Sequence, residues 1–296
     1  MELRDIEIFL TLAEELHFGR TAQRLHVSPA RISQAIKKQE RMVGADLFER
    51  TSRTVRLTTL GEQLRDDLQP LYRGLNQSVA KARLAAQGKD EVLRIGTIAA
   101  NTHELRPFWD AFRARHPQWG LQIRHNPFVD PFAPLRNGEI DALITWLPIE
   151  EPDLTVGPVL FTEPKTLLVA AGHELADRKS VPAETRGNYS GATSGSAVAE
   201  YWEDAFNSFY TPSGRPVDKV AEVTNLEDIL LAVVHDGIVH TMGAHGSRYF
   251  ARPDVVYLDI EGEPRLTWAL IWRSDADNAR IRALAEVIRD LGQASF

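Results

Sequence analysis

The stretch FGRTAQRLHVSPARISQAIKKQE, residues 18–40, followed by GADLFERTSRTVRLT, residues 44–58, decides how the chain is read. Two helical segments, 20–25 and 28–43, are separated by His26 and Val27. Ser28 is a natural N-cap, because its hydroxyl accepts from the free N–H groups of a first turn. Pro29 then stands at the first helical position, where its missing N–H costs nothing. Ile32 and Ile36 share one face of the second helix, the face expected to be buried. Arg31, Gln34, Ala35 and Lys38 share another. Two cations, an amide and a small residue suit a surface that enters a major groove.

Charge points the same way. Residues 18–57 hold nine bases (Arg20, Arg24, Arg31, Lys37, Lys38, Arg41, Arg50, Arg53, Arg56) against Glu40, Asp46 and Glu49, a net +6 within a chain of net −7. Basic charge gathered on one small module is the footprint of phosphate binding. A short helix pair joined by a turn is otherwise read as ordinary helical packing. The run RTSRTVRL, residues 50–57, tips the balance, since bases and hydroxyls alternate with Val55 and Leu57 as in a β-wing laid along a sugar–phosphate backbone.

Phe9, Phe18, Thr21-Ala22, Leu25, Val27-Ser28, Ile32-Ser33, Ile36, Glu40, Gly44, Leu47-Phe48-Glu49-Arg50, Val55-Arg56-Leu57-Thr58 and Gly61 form a long ordered pattern. It resembles the winged helix-turn-helix domain of LysR-type transcriptional regulators. The resemblance implies DNA contacts from Thr21, Ser28, Pro29, Ala30, Arg31, Ser33, Gln34, Lys37, Lys38, Arg50, Arg53 and Arg56. Arg31, Gln34 and Lys38 would face the groove, and Ser28, Arg50, Arg53 and Arg56 would hold phosphates. The family commonly opens this helix with Ser-Gln-Pro-Ala, where this chain has Ser28-Pro29-Ala30-Arg31, and Gln39 replaces a common Leu before Glu40. An operator sequence therefore does not carry over.

At 296 residues the chain has room for two or three domains, and its 43% hydrophobic and 25% charged content is that of a globular protein. It has no cysteine, which excludes disulfides and thiolate chemistry. The start MELRDIEIFL sets acids among apolar residues, unlike a signal peptide or membrane span. A cytoplasmic location with no membrane partner is expected. Leu3, Ile6, Phe9, Leu10, Ala13 and Leu16 mark one face of a first helix, with Glu2, Asp5, Glu7, Glu14 and Glu15 as its solvated surface.

After the wing, Thr58 caps a long helix reaching about residue 87. Leu64, Leu68, Leu71 and Leu75 are spaced 4, 3 and 4, followed by Ala82 and Ala85 with Ser78 between. That heptad spacing favours pairing with a second chain, against the alternative of a helix packed on its own domain. In the family this is the dimerisation helix, so self-association into dimers, and further into tetramers, is expected. Pro70 interrupts the helix and is expected to bend it.

From residue 91 strands and helices alternate. Strands are expected at 92–97, 121–125, 142–146, 166–171, 237–240, 255–260 and 266–272, and helices at 105–115, 132–137, 198–209, 226–235 and 279–291. Alternation implies a parallel sheet with helices on both faces. The order resembles the family's two-lobed α/β effector-binding domain, a fold like the periplasmic binding proteins, with crossings between lobes near 160–165 and 261–266. The expected architecture is a winged helix-turn-helix at 1–58, a linker helix at 59–88 and an effector domain at 91–296. Its first lobe would take 91–161 and 267–296, and its second 162–266.

Ligands on such sheets bind beyond the carboxyl ends of the strands. The turn Ile98-Ala99-Ala100-Asn101-Thr102 offers free N–H groups to an anion. Phe128, Asp130 and Trp146 would close the cleft from the first lobe, and Thr193, Ser194, Ser196, Thr224 and Asn225 from the second. For each residue alone an N-cap or solvated loop is as good a reading; their shared place at strand ends favours a pocket. Ala99 and Ala100 replace hydroxyls common in the family, and Asp130 would favour a cationic or hydroxylated group.

Enzymatic motifs are missing. Gly191-Ala192-Thr193-Ser194-Gly195 places Thr where a nucleophile elbow needs Ser. No phosphate loop of the G-x-x-x-x-G-K type and no His-Glu-x-x-His occurs. His235, His240 and His245 recur every five residues, off any one helical face, and read as core or solvated histidines rather than metal ligands. No cofactor is expected. The expected function is a ligand-responsive, sequence-specific regulator of transcription binding double-stranded DNA and a small-molecule effector, with RNA polymerase a candidate partner. A small-molecule sensor whose basic head only mediates assembly would not need the net +6 block. An enzyme on the two-lobed fold would need a convergent acid–base pair.

Overall fold

The computed structural model describes residues 2–50, 55–86, 91–98, 103–195 and 198–294. Arg53, Ala99, Ala100, Asn101, Thr102 and Ser196 lie outside the described residues. The chain divides into two compact units, 1–87 and 88–296.

In the first unit, α1 (Leu3–Glu15), α2 (Phe18–Arg24) and α3 (Pro29–Val43) enclose a core of Ile8, Phe9, Leu12, Ala22, Ile32, Ile36, Leu47 and Phe48. Helix α2 starts two residues earlier than expected, because His17 accepts the Arg20 N–H at 3.1 Å and so caps it. Ser28 caps α3, accepting from the Arg31 N–H at 3.3 Å with Pro29 behind it. Strands β1 (Phe48–Arg50) and β2 (Val55–Leu57) pair antiparallel as the wing. Gly61, at the start of α4 (Thr59–Ala85), has no tolerance for a side chain, since a Cβ there would lie inside contact distance of the Leu47 carbonyl. Gln39 is fully buried, donating to the Asp5 carbonyl at 2.9 Å, which ties α3 to α1.

The dimerisation expectation divides along α4. Leu64 and Leu68, with Tyr72, pack against the core of their own unit. Leu71 and Leu75 are exposed, at 70% and 43%, and Val79 continues that stripe. Despite Pro70, the helix is continuous over its 27 residues.

The second unit opens with β3 (Glu91–Thr97), α5 (Arg106–Arg115), β4 (Trp119–His125), α6 (Ala133–Arg136), β5 (Ala142–Trp146) and β6 (Leu154–Glu163). Next come β7 (Lys165–Ala170), β8 (Ser180–Pro182), β9 (Gly191–Thr193), α7 (Glu200–Phe206), β10 (Lys219–Glu222) and α8 (Leu226–Leu231). The unit ends with β11 (His240–Gly243), α9 (Gly246–Tyr249), β12 (Val255–Glu261), β13 (Leu266–Arg273) and α10 (Ala279–Leu291). The expected all-parallel arrangement is corrected. A five-stranded sheet runs β4-β3-β5-β13-β6, with β4, β3 and β5 parallel and β13 antiparallel to both β5 and β6. The second lobe holds β11-β7-β12-β8, in which β7 is antiparallel to both its neighbours. Strand β13, returning from the second lobe, enters between β5 and β6 and runs against both.

Strand β6 escaped the sequence reading because Gly157-Pro158 interrupts it. As the last strand of its sheet it tolerates that proline. The expected strand at 237–240 lies at His240–Gly243 instead, because Gly237 at φ 67° closes the preceding helical turn. The expected helix at 198–209 is shorter, Glu200–Phe206. The chain leaves the five-stranded sheet after Glu163 and enters β7 at Lys165, and it passes from β12 to β13 between Glu261 and Leu266. No helix among the described residues is long and apolar enough to cross a membrane.

Candidate DNA-reading surface and effector cleft

Exposure sorts the twelve candidate DNA contacts. Ser28, Pro29, Ala30, Arg31, Gln34, Lys37, Lys38 and Arg56 are exposed and Ser33 is half-buried. Among the described residues, Arg31, Gln34, Lys37 and Arg56 have no side-chain hydrogen bond or ion pair. Thr21 is corrected: it is fully buried, with its hydroxyl donating to the His17 carbonyl at 2.9 Å. Arg50 is corrected too. Its guanidinium donates to Glu40 at 2.6 Å and lies over the Phe18 ring at 5.3 Å, while Glu40 also accepts from the N–H groups of Leu47 and Phe48. That carboxylate fastens the foot of the wing to α3, and Arg50 completes the joint.

The acids of the first helix are more than a solvated surface. Glu15 pairs with Arg20 and Arg24, Glu14 with Arg24, and Asp5 with Lys38 at 3.1 Å. Hydrogen bonds from Arg24 and Arg20 hold the Glu15 carboxyl below its ordinary range. The net +6 of residues 18–57 is thus partly cancelled from outside that segment. Among the described residues, the cations of this segment without an acidic partner are Arg31, Lys37 and Arg41 on α3 and Arg56 on the wing.

Ile98 is half-buried against the first lobe's core, and its N–H is spent on the Ile144 carbonyl at 3.3 Å. Phe128 packs against the cores of both lobes, and Asp130 is exposed at φ 51°. Trp146 is corrected from a cleft wall to an internal strut. It is 4% exposed, stacks on Trp202 with centroids 3.7 Å apart, and donates to the Trp202 carbonyl at 2.8 Å. Helix α7, though it comes from the chain between the crossings, is thereby fixed to the first lobe's core.

The described second-lobe candidates are engaged within the chain. Glu203 accepts the Ser194 N–H at 2.6 Å and the Thr193 hydroxyl at 3.2 Å, so a protein carboxylate already fills that turn. Thr224 and Asn225 both donate to Asp228, and Asn225 caps α8. These donors hold the Asp228 carboxyl below its usual range. In this arrangement both pairs serve as turn and helix caps.

Sequence reasoning missed the buried groups at the crossings. Glu163, 1% exposed at the end of β6, accepts from His245 Nδ1 at 2.8 Å, from the His245 N–H at 2.9 Å and from Trp268 Nε1 at 2.7 Å. Gly243 is needed there, because a Cβ would strike the Glu163 carboxylate. Beside it Glu263 joins Lys165, at 3.2 Å, to Arg186. Burial pushes both the Lys165 ammonium and the Arg186 guanidinium down from their ordinary values, against the pull of Glu263. Only the position of these acids next to the predicted crossings could have marked them in the sequence.

His240 lies buried in β11, and burial pushes its imidazole down from 6.5 to about 4. The folded chain therefore refuses a proton that the unfolded chain accepts between those values. Its contribution is complete above pH 6.5 and is lost as pH falls toward 4, by up to about 1.4 kcal/mol per pH unit. The urea midpoint, followed by tryptophan fluorescence, is expected to drop between pH 7.5 and 5. His240→Leu should flatten that slope; an unchanged slope would assign it to another group.

The comparisons agree with this anatomy. The profile for bacterial regulatory helix-turn-helix proteins of the lysR family matches residues 3–62, and that for the LysR substrate binding domain matches residues 86–293. The HTH-type transcriptional regulator AlsR of Bacillus subtilis is 28% identical over 287 residues, covering 95% of this chain and 93% of AlsR. The DNA-binding transcriptional dual regulator OxyR of Escherichia coli is 30% identical, covering 98% and 95%. The crystal structure of CbnR, a LysR family transcriptional regulator, superposes with a TM-score of 0.63 at 18% identity over all of both chains, a likeness of fold. The chain belongs to the LysR family and is a transcriptional regulator with a DNA-binding helix-turn-helix and an effector-binding domain.

Proposed function

We propose that residues 1–58 form the DNA-reading head, 59–88 the dimerisation linker and 91–296 the effector-responsive body of a cytoplasmic regulator. Arg31, Gln34 and Lys37 enter the major groove from α3, with Ser28, Pro29 and Ala30 at its leading end. Lys38 stays on Asp5 and orients the helix. Arg56 and Arg53 hold phosphates. Leu71 and Leu75 supply the exposed part of the linker seam, and two or more copies present their heads to half-sites about one DNA turn or a multiple apart. A small molecule between the lobes alters their closure, which shifts the spacing of the heads to the extent that it binds one arrangement better than another. RNA polymerase is the further partner such a regulator addresses.

The observation that carries this reading is the set of exposed side chains on α3 that have no described partner within the chain. Genome-wide DNA capture with the purified protein should enrich a few sites with inverted symmetry. Arg31→Ala is expected to weaken binding at those sites by about 1–3 kcal/mol and to relax preference at one base pair. Arg56→Ala should weaken all sequences alike and reduce the salt slope by about 1. Unchanged site preference in Arg31→Ala would remove α3 from base reading.

A further inference from the structure

Glu104, between β3 and α5 on the first lobe, is gripped from the second lobe by two consecutive residues of α9. The Tyr249 hydroxyl donates to one carboxylate oxygen, and Arg248 Nη2 lies 3.3 Å from the other. A guanidinium and a phenol on the two oxygens of one carboxylate make a recognition fork for that group. Burial and the Glu104 contact push the Tyr249 phenol up to about 12, so it remains a donor across physiological pH.

Other carboxylates at the crossings and on α7 are built differently. Glu163 and Glu203 are 1% and 7% exposed, and the Glu263 side chain is 5% exposed with partners equally enclosed. No solute reaches their donors without unfolding. The Arg248 side chain is 51% exposed, while Glu104 retains 16%. A half-exposed ion pair contributes little, so a carboxylate arriving from solution can compete for it.

We infer that Arg248 and Tyr249 form a binding site for the carboxylate of a small acidic effector, which Glu104 fills from within the chain until such an acid displaces it. Displacement cuts a tie between the lobes, so binding and loosening of the closed arrangement are one event. The inference rests on the proposed reading that the effector acts between the lobes. Glu104 is tethered beside the fork, so an incoming acid competes with a high local concentration and gains affinity when that competitor is removed. Neutral isosteres, which lack the charge that Arg248 pairs with, are excluded.

The test is titration calorimetry of the full-length protein with acetate, pyruvate and benzoate, and with the matching amides. Glu104→Ala is expected to bind at least one acid about tenfold more tightly than the unaltered chain. Glu104→Gln should lie between the two. Arg248→Ala should abolish that binding in either background, Tyr249→Phe should weaken it about tenfold, and no amide should bind. Equal affinities with and without Glu104, binding that survives Arg248→Ala, or no acid binding by Glu104→Ala at millimolar concentrations would overturn the inference. The same variants are carried through DNA capture. Retained site enrichment with failed acid binding removes the fork alone, whereas lost enrichment in the unaltered chain strikes the regulator reading.

Discussion

Replacing Glu163 with alanine is expected to destabilise the second unit by about 3–5 kcal/mol, the cost of breaking a buried charged contact by deleting one partner. Three donors meet on that carboxylate: His245 Nδ1, the His245 N–H and Trp268 Nε1, at 2.7–2.9 Å. The imidazole can move its proton to the other nitrogen, so part of its loss is recovered. Neither the backbone N–H nor the indole N–H has that option, and both stay buried without an acceptor. Glu163→Gln keeps one acceptor oxygen while turning an amide toward a donor, so it should cost about half as much. All six tryptophans lie between residues 109 and 272, so tryptophan fluorescence in urea reports the second unit and not the head. A loss under about 1 kcal/mol for the alanine variant would mean that water replaces the carboxylate, and that the crossing is wetter than its burial implies.

That contact shows why the head was more legible in the sequence than the body. Ser28, Pro29, Ile32 and Ile36 act locally, through capping and helical periodicity, so four residues within one short stretch predict their own geometry. The wing was legible because alternation over 50–57 marks paired strands. The effector cleft is assembled from residues far apart in sequence. Glu163 and His245 are separated by 82 positions, and no local pattern announces their meeting. Thr193, Ser194, Thr224 and Asn225 are the residue types that serve equally as anion donors and as caps. What decided between the roles was Glu203 and Asp228, each placed by a helix to accept those donors.

The charge argument had a similar limit. Counting bases along 18–57 treated the segment as isolated, yet α1 brings Asp5, Glu14 and Glu15 onto Lys38, Arg24 and Arg20. The sign of the reading survives because, among the described residues, Arg31 and Lys37 on α3 and Arg56 on the wing have no acidic partner. The set of contacting residues does not survive unchanged, because Thr21 and Arg50 are consumed by the fold itself.

Trp146→Ala is expected to cost about 3–5 kcal/mol and to free α7 from the first lobe. The Trp146 ring stacks on Trp202 at 3.7 Å, lies 4.5 Å from the Phe206 ring and meets Trp268 edge-on at 5.5 Å. Its deletion leaves a void among aromatic side chains that are fixed on two separate elements, α7 and β13, and cannot collapse together. The Trp202 carbonyl, which accepts the Trp146 N–H, also loses its partner. Trp146→Phe retains a stacking ring but not the donor, so it should lose about 1–3 kcal/mol. Hydrogen exchange separates the two parts of the effect. In Trp146→Ala the amides of α7 should exchange faster than those of β3 and β5, because the strands keep their ladder while the helix has lost its anchor. Uniform acceleration across the first sheet would instead mean that the helix and sheet unfold as one body. In that case α7 would be an integral part of the first lobe, and lobe movement would have to take place on its far side, between α7 and the β7 sheet.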